Sequence, residues 1–163
     1  MADVIHIITI AEELQRIFDA DLKTSLNLQS VMLGKLEWLP PTAITGLVNG
    51  IWINTAPAMT NDPSELPRQL LQKYNFRIVY VRRMAINENP TKKAMEDAKV
   101  IGNKLIDKIS LPDITNMPST AMVLWIMPRS FEWEPPEDDY VGRIAADLTA
   151  MAINLEVMVR TRR

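Results

Sequence analysis

From Ile153 the sequence alternates. Ile153, Leu155, Val157 and Val159 fall on one side, and Asn154, Glu156, Met158 and Arg160 on the other. A period of two marks a strand with one buried face. The pattern sits in the last stretch, Ile144 to Arg163. Such a strand must find its partners earlier in the chain. It is also a candidate edge at which another subunit docks.

The upstream segments that supply those partners have mixed character. Ile10, Leu14, Ile17 and Phe18 recur at helical spacing, which predicts a helix over residues 1–22. Leu36 to Leu39 reads as extended, because Pro40 and Pro41 push the preceding residues out of the α region. Asn49-Gly50 lies between two apolar runs. That dipeptide suits a two-residue type I′ turn, so the expectation is a hairpin of about 42–48 and 51–56. Pro57, Pro63 and Pro67 make residues 57–67 a loop. A short helix is expected over Ser64 to Lys73, then a strand over Tyr74 to Met84 that is apolar on both faces and therefore central.

Asn89-Pro90 is a helix start, with Asn as cap and Pro in the first turn. Ala94, Ala98, Ile101, Leu105 and Ile109 then line one face, up to Pro112. Ala121 to Met127 is a short apolar run, read as a strand. Phe131 to Tyr140 is an acidic loop or extended hairpin. The order predicts a single α+β domain over 1–163: a mixed or mainly antiparallel sheet with two main helices packed on it. Its 163 residues suffice for one core.

Composition removes several function classes. There is no cysteine, so disulfides, thiol nucleophiles and thiolate metal sites are excluded. The net charge of −2 gives no global basic field for nucleic acid. No run approaches the roughly 18 apolar residues of a membrane span. Acidic Asp3 replaces the basic start of a signal peptide. His6 is the single histidine, and no serine near it has a nucleophile-elbow context. The five glycines form neither a P-loop nor a dinucleotide fingerprint.

Charge is concentrated in three places. Glu132, Glu134, Glu137, Asp138 and Asp139 are the densest acidic group, around Trp133. Carboxylates can bind calcium or magnesium or act as an acid/base pair. Pro135-Pro136 interrupt these and the spacing is not that of an EF-hand, which favours a solvated or partner-facing loop. Arg68, Lys73, Arg77, Arg82 and Arg83 form a basic group, although Arg82 and Arg83 point to opposite faces of a strand. Arg160, Arg162 and Arg163 form another. Separate acidic and basic groups in a nearly neutral chain suit self-association, as they do a plain solvated surface. Trp38, Trp52, Trp125 and Trp133 are the large apolar anchors. Trp133, set among acids, is the least core-like and a candidate interface hot spot.

The layout resembles a known family. An amphipathic helix (IITIAEELQRIF) precedes a hairpin and the strand YNFRIVYVRR. A helix follows Asn89-Pro90, then VLWIMP, then RIAADLTAMAINLEVMVRTRR. This is similar to the tail terminator, or tail completion, proteins of tailed bacteriophages. The resemblance covers most of the chain and rests on layout, not on a signature motif. It implies a small α+β subunit of a homohexameric ring in the virion neck, made in the host cytoplasm. The ring caps the tail tube, ends its polymerisation and meets the head-side connector and, in contractile tails, the sheath. DNA passes through without specific binding. No cofactor, metal, membrane or catalytic residue is implied. Its proposed contacts are the proline-rich loop 57–67, the acidic group Glu132, Trp133, Glu134, Glu137, Asp138 and Asp139, and the basic group Arg160, Arg162 and Arg163. The alternatives are a head-completion or stopper protein of the neck and, in a different class, a small metal-dependent enzyme using residues 132–139.

Overall fold

The computed structural model describes residues 7–46, 49–61, 69–107 and 121–162. In order they form α1 (Ile7–Ser25), β1 (Ser30–Leu33), a 3-10 turn (Leu36–Trp38) and α2 (Pro41–Thr45). Then come β2 (Asn49–Asn61), β3 (Gln69–Arg83), α3 (Pro90–Asp107), β4 (Ala121–Trp133), α4 (Pro136–Ile144) and β5 (Leu148–Arg162). Among the described residues the strands make one five-stranded sheet, ordered β1-β2-β3-β5-β4. The β1–β2 pair is parallel and the others are antiparallel, so the sheet is mixed and the α+β class holds.

The alternating stretch is the middle of β5, and its apolar side is buried: Ile153, Leu155, Val157 and Val159 are all at most 1% exposed. The strand is not an edge. It pairs along its whole length with β3, from Leu148↔Arg83 to Arg162↔Gln69, and on its other side with β4. Its start escaped the pattern because Leu148, Ala150, Met151 and Ala152 are buried on both faces, which erases the alternation.

One sheet face, here the helical face, packs against α1 and α3. Ile10, Leu14, Ile17 and Phe18 meet the core residues of β2, β3 and β5, with Ala98, Ile101 and Leu105 from α3. Ile109 and Pro112 lie outside the described residues. The helix ends follow from local chemistry. Asn27 has φ 52°, Leu28 N–H donates to Lys23 O at 2.9 Å, and Asn27 N–H donates to Thr24 O at 3.4 Å. This is a left-handed Schellman stop, with Asn in the glycine position. At the start of α3, Lys92 N–H donates to Asn89 Oδ1 at 3.1 Å, the expected cap.

The opposite, back face is covered at one end only. There Leu36, Ile44 and Val141 close over Trp52, Val79, Val81, Leu148 and Ala150 as a second core.

The chain departs from the sequence reading in several places. Asn49-Gly50 is no turn but the start of β2. Asn49 is buried and its side chain binds the end of α1, donating to Leu26 O at 2.7 Å and accepting from Gln29 N–H at 3.1 Å. Gly50 is there for space, since a Cβ on it would sit 2.8 Å from the Trp52 ring. Residues 42–45, expected as a strand, belong to α2, which Pro41 opens. Leu36–Trp38 is a 3-10 turn, not extended. Finally, the strands outrun their prolines. β2 carries Pro57 through a register shift between Thr55 and Met59, and β4 carries Pro128 next to another shift. Bulges tolerate a missing N–H. Residues 62–68 lie outside the described residues, and the helix expected over 64–73 gives way to β3 from Gln69.

Candidate functional site

The acidic segment is not a loop. Its first part is the end of β4, and from Pro136 it is α4, with Glu137, Asp138 and Asp139 in the first turn, where carboxylates suit the helix dipole. Prolines 135 and 136 start the helix and do not interrupt it.

What holds this segment is Arg77, on the back face of β3. Its Nε and Nη2 donate to the two Glu137 oxygens at 2.7 and 3.0 Å, a bidentate fork. Its Nη1 donates to Asn154 Oδ1 on β5 at 3.1 Å and to Glu132 of β4. Asn154 Nδ2 then donates to Ser130 Oγ at 2.9 Å and Glu132 Oε2 at 3.1 Å. One guanidinium thus ties three strands to α4. The Arg77 hydrogen bond holds the Glu137 carboxyl below its usual range, against the opposing cost of burial. The Glu137 bond, opposed by burial and aided by Glu132, raises the already high pKa of Arg77. Asp138 is also engaged internally: Ala150 N–H donates to its Oδ1 at 2.7 Å, fixing α4 to the start of β5.

The basic group on β3 is likewise divided among internal partners. Arg82 forks onto Glu88 at 2.9 and 3.0 Å. Arg83, on the opposite side, pairs with Asp147 and donates to Thr45 O at 2.7 Å. No continuous basic stripe results. Arg68 lies outside the described residues.

The expectation of a solvated acidic loop is therefore corrected for Glu132, Glu137 and Asp138, which build the back face. Glu134 and Asp139 remain exposed. Trp133 is 42% exposed and stacks on Phe131 with centroids 6.4 Å apart. Trp38 is more open still, at 74%, whereas Trp52 is fully buried. Arg160 is half-buried, with Nη2 3.3 Å from Met122 Sδ. Arg162 closes β5; its side chain and all of Arg163 lie outside the described residues. Glu132–Asp139 and Arg160–Arg162 thus stand towards opposite ends of the sheet.

No described cluster of three or more His, Asp or Glu residues converges as metal ligands. No described helix is long and apolar enough to cross a membrane. Residues 57–61 belong to β2, and the rest of the proline-rich loop lies outside the described residues.

No family profile matches the chain, and no curated protein does. A solved structure does. The chain is similar to the sheath/tube terminator of an extracellular contractile injection system, PVC, seen by cryo-electron microscopy in its extended state. The match has a TM-score of 0.50 at 14% identity and takes in 99% of this chain. This chain spans 58% of that protein's length. The likeness is one of fold.

Proposed function

We propose that this chain is a terminator subunit of a tail-type tube: a structural protein whose homohexameric ring caps the tube, ends its growth and offers a surface to what lies beyond. The observation that carries the reading is the shared fold, over nearly the whole chain, with a sheath/tube terminator. Two features support it. The exposed aromatic pair Phe131–Trp133 lies on β4, which is an edge of the sheet, where a neighbouring subunit has access. The basic end of β5 and the exposed acids Glu134 and Asp139, just beyond β4, are remote from each other within one chain, an arrangement suited to contact between unlike ends of neighbouring copies. The reading needs no catalytic step and no cofactor. Partners follow from it: tube protein, sheath where the tail contracts, and a head-side connector in a phage virion.

Gold-labelled antibody against the chain tests it on purified tail-type particles. The expected result is label at one end of the tube, together with overlong tubes when the gene is deleted. Label along the whole tube, or on the head side with tubes of normal length, contradicts it.

A further inference from the structure

The end of the sheet where β5 begins holds a cavity of about 480 Å³. Ala94, Trp133 and Met151 give it apolar walls, and Arg82, Asp97, Glu134 and Asp138 give it charge. Two terminal nitrogens of Arg82 are committed to Glu88. Its Nε stands 3.7 Å from Asp97 Oδ2, too far for a hydrogen bond. Lys93 Nζ is 3.5 Å from Oδ1. Asp97 is only 4% exposed, and its Oδ2 is buried without a hydrogen-bond partner. An orphaned buried carboxylate oxygen is costly and calls for a donor. Glu134 and Asp138 add two further carboxylates to the lining. Tyr80, Thr91 and Thr149 also bring hydroxyls to the lining, the Tyr80 hydroxyl beside Asp97, but its charged groups are one arginine against three carboxylates, so the cavity suits a ligand with a cationic head and an apolar stem. Trp133 adds an aromatic surface of the kind that guanidinium groups pack on.

We propose that this cavity is a socket for an arginine side chain from a second copy of the chain, presented by the basic end of that copy's β5. Thr149 and Met151, near the start of β5, line the socket, and Arg160 and Arg162 lie at its other end. At about 3.3 Å per residue the two are roughly 35 Å apart. A subunit cannot fill its own socket this way, so the contact is head-to-tail, the kind that closes rings. The inference rests on the self-assembly proposed above.

The test uses the full chain carrying Arg160→Gln, Arg162→Gln and Arg163→Gln, which leaves its sockets free. A fluorescent peptide of residues 156–163, EVMVRTRR, is titrated against it by anisotropy. Binding is expected, with a loss of at least about tenfold on adding Asp97→Asn, since a charge-assisted bond is removed. A similar loss is expected for Ala94→Phe, which fills the cavity without altering its charge and keeps the test valid should Asp97→Asn unfold. The peptide with glutamine at all three arginines should not bind. No binding of EVMVRTRR, or equal binding to the Ala94→Phe protein, overturns the socket. A wild-type chain that stays monomeric while the peptide binds at the cavity sinks the ring and leaves the socket. Rings that form equally well with Ala94→Phe sink the socket and leave the ring.

Discussion

The two ends of the back face are built from the same strands but differ in how they are finished. Where β5 begins, α2, α4 and the 3-10 turn close over a second apolar core, and Arg77 clamps Glu132, Glu137 and Asn154 beside it. Where β5 ends, no described helix packs on that face. Met122 and Met127 are left more than a third exposed there, and Glu156 is held by Arg129 at 2.6 Å and Trp125 at 3.3 Å. The helical face, by contrast, is apolar along β5 from Met151 to Val159. One end of the back face is thus committed to the fold and the other is available. In a subunit that assembles, contacts are expected at the available end and at the open socket, not at the clamp.

Substitutions can break this contrast. Ile153→Ala, in the core shared by all parts of the sheet, is expected to cost about 3–4 kcal/mol of unfolding free energy in denaturant titration. A loss under about 1 kcal/mol would mean that β5 is not central. Glu137→Gln should cost about 2 kcal/mol, because it leaves Arg77 partly buried without its fork.

That variant also has a pH signature. The folded pKa of Glu137 is depressed, so its contribution is complete above the unfolded value near pH 4.3 and fades as pH falls through the lower folded value. Wild-type and Glu137→Gln stabilities should therefore converge in acid. Parallel curves from pH 7 to 2 would show that the clamp is not an ion pair. Gly50→Ala comes next, at about 1–2 kcal/mol, because the new methyl meets the buried Trp52 ring. At the available end, Met127→Ser should change stability by less than about 0.5 kcal/mol. A fall comparable to that of Glu137→Gln would show that this end is finished as well, and erase the comparison.

The contrast also explains what the residues alone could reveal. The helical stripes of α1 and α3, the Asn89 cap and the apolar side of β5 were legible because each is a periodic pattern or a cap set by local chemistry. Asn49-Gly50 misled because its local preference, a tight turn, was overridden by tertiary needs: a side chain binding the end of α1, and room for Trp52. The acidic segment misled because its neutralising partner lies 55 and 60 residues earlier, at Arg77. No local spacing encodes such a pair. Asp97 did leave a trace. It falls three residues after Ala94 and four before Ile101, on the buried stripe of α3, where a charged residue is rarely placed without a partner.

The most direct test of the ring itself is the mass of the native assembly, measured by native mass spectrometry near neutral pH. A hexameric ring gives a species of six times the 18.5 kDa chain. A chain that remains monomeric at micromolar concentration would contradict it, and a twelve-fold species would point to a connector instead of a terminator.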